Sequence, residues 1–67
     1  MKWNYDNYQK FLHKEKNRIV DSDSMDNVIE HAVTLLSETS GLGNFLRKND
    51  PTVSAVNALV RDLNHAR

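Results

Sequence analysis

Apolar side chains recur along this chain at three- and four-residue spacing, and no segment alternates with the two-residue period of a half-buried strand. The pattern predicts an all-α fold. Tyr5, Tyr8, Phe11 and Leu12 mark one stripe, with Asn4 or Asp6 placed to cap its start, and they predict a first helix over about residues 5–18. The cluster "DSDSMD" then offers several N-caps before Met25, Val28, Ile29, Ala32, Leu35 and Leu36, which fall on one stripe of a 3.6-residue period. Near the C-terminus, "NDPTVSAVNALVRDLNHAR" places Asp50 as an N-cap and Pro51 at the first helical position, where a missing amide N–H costs nothing. Val53, Val56, Val60 and Leu63 give this last helix, over about 51–66, its buried face.

Both glycines lie between the second and last stripes, in "TLLSETSGLGNFLRK". A helix ending at Gly41 gives the apolar positions beyond it no reason to keep the phase of those before it. The phase is kept: steps of three and four from Leu35 and Leu36 reach Thr39, then Leu42 and Gly43, then Leu46, with Phe45 beside it. Each interior glycine costs about 1 kcal/mol relative to alanine, so phase and propensity conflict. The phase argument predicts one second helix over about 24–48, long or kinked near Gly41 and Gly43, with the glycines admitting another helix closely. Such a helix is about 37 Å long, whereas a compact chain of this length has a radius of gyration of about 11 Å. Its uncovered stripe therefore predicts a helical homodimer or a dedicated protein partner. The alternative, a break at the glycines, predicts a four-helix monomer with a short helix at 42–48.

Size sharpens this expectation. A 67-residue chain makes a single domain, residues 1–67, and buries only about 60% of the surface its unfolded chain exposes. Cysteine is absent, which excludes disulfides and thiolate metal sites, suits a reducing intracellular setting and leaves association as the common remaining staple. The N-terminal "MKWNYDNYQKF" lacks the apolar core of a signal peptide, and no run approaches the roughly 20 apolar residues of a membrane span. These features predict a soluble cytoplasmic protein with no membrane partner.

The formal net charge of zero conceals segregation. Residues 1–20 carry Lys2, Lys10, Lys14, Lys16 and Arg18 against Asp6 and Glu15, while residues 21–40 carry Asp21, Asp23, Asp26, Glu30 and Glu38 with no Lys or Arg. The remainder sets Arg47, Lys48, Arg61 and Arg67 against Asp50 and Asp62. Opposed blocks attract, within one fold or between chains. Neither is basic enough to make nucleic acid the default partner.

Candidate chemistry is sparse. Asp26 and Glu30, four apart, suit the helix N-terminus through its dipole, and no spacing among His13, His31 and His65 resembles a metal site. No nucleophile motif surrounds any Ser or Thr. "YDNYQKF" followed by "HAVTLLSETSGLGNFLRK" resembles the opening of MazG-like nucleotide pyrophosphohydrolases, over roughly residues 3–48. Leu35 and Glu38 match the first Leu and Glu of that family's second-helix motif, Leu42 its second Leu, and Arg47 and Lys48 its basic pair. The resemblance implies an all-α fold and magnesium held by paired carboxylates against a nucleoside triphosphate. Here the second Glu of the first pair is Gly41, and no E-x-x-D pair follows, Asp62 being the only acidic residue of the last helix. Glu38 alone is a poor magnesium site, because the ion needs several hard oxygen ligands. The alternative of an active hydrolase thus requires a metal motif that the chain has lost.

"LGNFLRKNDPTVSAVNALVRDL" supplies a second alternative, since it resembles a helix-turn-helix with Gly43 at the helix crossing and Val53 and Val56 anchoring the second helix. Thr52, Ser54, Asn57 and Arg61 would then face DNA. Against it, the usual turn glycine falls at Arg47, and only Arg61 and Arg67 are available to phosphate on that helix. The sequence therefore points first to a non-catalytic helical interaction protein, a regulator or inhibitor of the size a phage or mobile element encodes, needing no cofactor. Trp3, Tyr5, Tyr8, Leu35, Leu42, Phe45 and Leu46 are its candidate contact residues, since aromatic anchors dominate interface energetics.

Overall fold

A computed structural model describes residues 2–18 and 24–65, arranged as four α-helices: α1 (Tyr5–Arg18), α2 (Met25–Glu38), α3 (Leu42–Asn49) and α4 (Ala55–His65). Asp21, Asp23 and Arg67, counted above in the charge blocks, lie outside the described residues, as does the last residue of the expected 51–66 helix. Asn4 caps α1, its Oδ1 accepting the Asn7 N–H at 2.8 Å while its carbonyl accepts that of Tyr8 at 2.9 Å. The α1 bounds are those the apolar spacing predicts.

The single helix over 24–48 is not formed. α2 stops at Glu38, Thr39 leaves helical geometry at φ −110° and ψ 104°, and Gly41 turns the chain in the left-handed region at φ 83°. Only glycine adopts that conformation without a Cβ penalty. The chain bends there because α3 can then fold back onto α4, burying Leu42 and Leu46 within the monomer. Each such leucine contributes about 1.5–3 kcal/mol by leaving water, which a straight helix would forgo. Trp3 fastens the bend: its indole N–H donates to the Ser40 carbonyl at 3.1 Å, and its ring packs edge-on to Phe11 at 5.3 Å. With Leu42 and Leu46 covered internally, the overhanging stripe that called for a homodimer is gone. The radius of gyration is 11.1 Å.

The last helix starts later than expected. Asp50 caps the end of α3, its N–H donating to the Leu46 carbonyl at 2.9 Å, and Pro51 and Thr52 lie in the turn. Ser54 is the N-cap of α4, with its Oγ accepting the Asn57 N–H at 3.3 Å and its carbonyl the Ala58 N–H at 2.9 Å. α4 is the hub of the fold and packs against each of the other helices. It presents Ala58, Leu59 and Leu63 to a core completed by Tyr8, Leu12, Val28, Ala32, Leu35, Leu42 and Leu46. The expected face of Val53, Val56, Val60 and Leu63 is thus rotated. The larger Leu59 takes the centre, and Val53, Val56 and Val60 are left half-buried.

Candidate functional site

Two surfaces merit comparison, and the first is a cleft of about 390 Å³ between α1, α3 and α4. Four of the candidate contact residues, Tyr5, Tyr8, Phe45 and Leu46, line it, together with Arg61 of the DNA-facing set, Asp50 and Asp62. Its polar groups are occupied by one another. The Tyr8 hydroxyl donates to Asp62, Arg61 donates from Nη1 to Asp50 at 3.0 Å and from Nε to Asp62 at 3.2 Å, and Thr52 donates to Asp50 at 3.0 Å. All four carboxylate oxygens of the pair thus accept a hydrogen bond. Burial, and then donation to the Asp62 carboxylate, push the Tyr8 phenol well above its ordinary range. The Arg61 and Thr52 hydrogen bonds lower the Asp50 carboxyl, and the two carboxylates raise Arg61. The arrangement ties α1 and the α3–α4 turn to α4, and it engages both carboxylates of the cleft within the fold.

A similar reading applies to Glu15, the one buried charged residue among those described. Its Oε2 lies 3.1 Å from His31 Nε2, and Oε1 lies 3.8 Å from Arg18. The pair joins α1 to α2. No buried side-chain nitrogen or oxygen among the described residues lacks a hydrogen-bond partner.

The second surface is apolar. Met25, Ile29 and Val33 follow one another at four-residue steps along α2 and are 52%, 40% and 46% exposed. Three large side chains in a row differ from the singly scattered apolar residues of an ordinary surface. Their row continues onto α4, which runs antiparallel to α2. At one end Asn64 Nδ2 lies 3.7 Å from Met25 Sδ, and at the other Leu36 and Ala55 both border Gly43. Interpolated between these two contacts, half-buried Val60 falls level with Ile29, and half-buried Val56 level with Val33. Asp26 and Glu30, both exposed, form the far edge of the α2 row, and α2 contains no Lys or Arg.

The other sequence candidates are dispersed. Leu35 and Leu42 join Tyr8 and Leu46 in the core, Trp3 and Phe45 are half-buried around the α2–α3 turn, and Tyr5 is 69% exposed. As core side chains, Tyr8, Leu35, Leu42 and Leu46 have little area to offer a partner. Glu38 is exposed at the end of α2, and no three His, Asp or Glu side chains among the described residues cluster closely enough for a metal ion. Of the DNA-facing set, Thr52, Ser54 and Asn57 are exposed but the first two are engaged in local turns and caps, and Arg61 is held by two carboxylates. The sequence reading missed Val33 and assigned the exposed Met25 and Ile29 to the packed stripe, while Val60, placed on the buried face, packs half-buried against the core. The available signal was that α2 carries more apolar positions than a single packed stripe needs.

No helix among the described residues is long and apolar enough to cross a membrane. Compared with protein-family models, with curated proteins and with solved structures, the chain gives no match.

Proposed function

We propose that this chain is a non-catalytic helical interaction protein, a regulator or inhibitor acting in the cytoplasm, that docks a protein partner on the face formed by α2 and α4. The observation that carries this reading is the exposed row Met25–Ile29–Val33 beside half-buried Val56 and Val60, in a molecule too small to leave such area in water without cost. Amphipathic helices commonly dock on apolar surfaces through residues at three- and four-residue spacing. Catalysis is not favoured, because magnesium-dependent hydrolysis would rest on Glu38 alone. DNA binding would require free cations along α4, where Arg61 is already paired.

Capture from an extract of the native host tests the proposal, using the wild-type chain and an Ile29→Ser, Val33→Ser variant as baits. A partner retained by the wild type and lost by a variant of unchanged melting temperature is the expected outcome. Equal retention by both baits would remove the α2–α4 face from the account, and pyrophosphate release from deoxynucleoside triphosphates with magnesium would overturn the non-catalytic reading.

A further inference from the structure

We infer that the partner seated on the α2–α4 face is an amphipathic helix edged with Lys or Arg, and not a second copy of this chain. The inference rests on the docking reading above and adds to it the chemistry of the occupant. The apolar row on α2 is bounded on its outer side by Asp26 and Glu30, both exposed, and no Lys or Arg of α2 offsets them. Beyond the valine row, α4 presents Asn57 and Asn64, which are neutral. A helix lying along this apolar face thus meets carboxylates on one flank and amides on the other. Lysine or arginine on the carboxylate side satisfies that charge, and glutamate there is repelled.

Self-pairing fails the same test. Two copies joined by antiparallel α2 helices set each acidic edge against its equivalent, so that the Asp26 and Glu30 carboxylates of one chain face those of the other. The exposed positive charge of the described helices lies on α1 (Lys10, Lys14, Arg18), where Tyr5 is the only exposed large apolar residue, on α3 (Arg47, Lys48), which has none, and at Arg61, already paired with Asp50 and Asp62. A second copy therefore offers either an apolar row with the wrong charge or the right charge without an apolar row.

The test uses three stapled helical peptides of α2 length, 14 residues, with one common leucine row and an edge of Lys, Gln or Glu. They are titrated into the isotope-labelled full chain, following its amide resonances. The Lys-edged peptide is expected to shift residues of α2 and α4 and to bind at least about tenfold more tightly than the Glu-edged one, a ratio that converts to about 1.4 kcal/mol. High salt should narrow the gap, and an Asp26→Asn, Glu30→Gln variant should abolish it while keeping affinity for the Gln-edged peptide. Equal binding of all three peptides to α2 and α4 would overturn the basic-edge inference and leave the docking reading standing. A concentration-dependent dimer, dissolved by Ile29→Lys, would replace the partner with a second copy. No shift on α2 or α4 from any peptide, in a chain that stays monomeric, would overturn both.

Discussion

Gly41 and Gly43 sit two residues apart and have opposite roles. At Gly41 the backbone is left-handed, φ 83°, and a methyl group there would also meet the Trp3 ring at 3.5 Å. Gly41→Ala should lower stability by about 1–2 kcal/mol, seen as an earlier urea midpoint. Gly43 is helical, and a Cβ there meets Ala55 and Leu36 only at 3.9 Å, ordinary contact distance. Gly43→Ala should therefore raise stability by up to about 1 kcal/mol. A destabilised Gly43→Ala would mean that α3 packs more tightly on its neighbours than 3.9 Å implies. Tyr8 gives a pH prediction. Its phenol is raised above 10.0 by burial and by Asp62, so the neutral form is favoured in the folded state, and the stabilisation is complete below the unfolded value of about 10. It is lost as pH climbs beyond that value. Urea midpoints of the wild type should fall above about pH 10 more steeply than those of Tyr8→Phe; parallel curves would show that Tyr8 does not titrate with unfolding.

At the scale of elements, capping decides where helices begin, and the sequence offers more caps than the fold uses. Asn4 caps α1, whereas Asp50, an equally good N-cap by residue type, ends α3 because Arg61 and Thr52 hold its carboxylate. Ser54→Ala should then cost about 0.5–2 kcal/mol through the exposed end of α4, while Pro51→Ala, in the preceding turn, should leave the helical circular dichroism unchanged. A larger loss of helicity from Pro51→Ala than from Ser54→Ala would place the start of α4 back at the proline. The α1–α2 junction depends on Glu15 and His31, so His31→Ala should cost about 1–3 kcal/mol by leaving a buried carboxylate with only Arg18 at 3.8 Å. The Glu15→Gln, His31→Ala double variant should recover part of that loss, since the amide is neutral.

For the whole molecule, the fold removes the original reason for a homodimer and supplies a different reason for a partner. Light scattering of the isolated chain at high concentration should give a mass near 7.7 kDa; a doubled mass would reinstate self-association. Acid should destabilise the molecule through Asp50, whose carboxyl is lowered by its hydrogen bonds to Arg61 and Thr52. That stabilisation is present above the unfolded value of about 3.9 and disappears as pH falls through the lower folded value. Asp50→Asn should flatten the acid limb of the stability curve.

The apolar spacing by itself determined that the chain is helical, where α1 lies, and that Val28, Ala32, Leu35 and Leu63 face inward. These follow from local geometry, since a 3.6-residue repeat defines a face whatever packs on it. The break at Gly41 was undecidable at that level, because the phase of Leu42 and Leu46 suits a continuous helix and a folded-back one alike. Tertiary structure chose the fold-back, since only then does one chain cover both leucines. It also chose which apolar residues remain in water. Three short helices packed around α4 have room for one row of α2, so Met25, Ile29 and Val33 stay outside, on the face proposed for a partner.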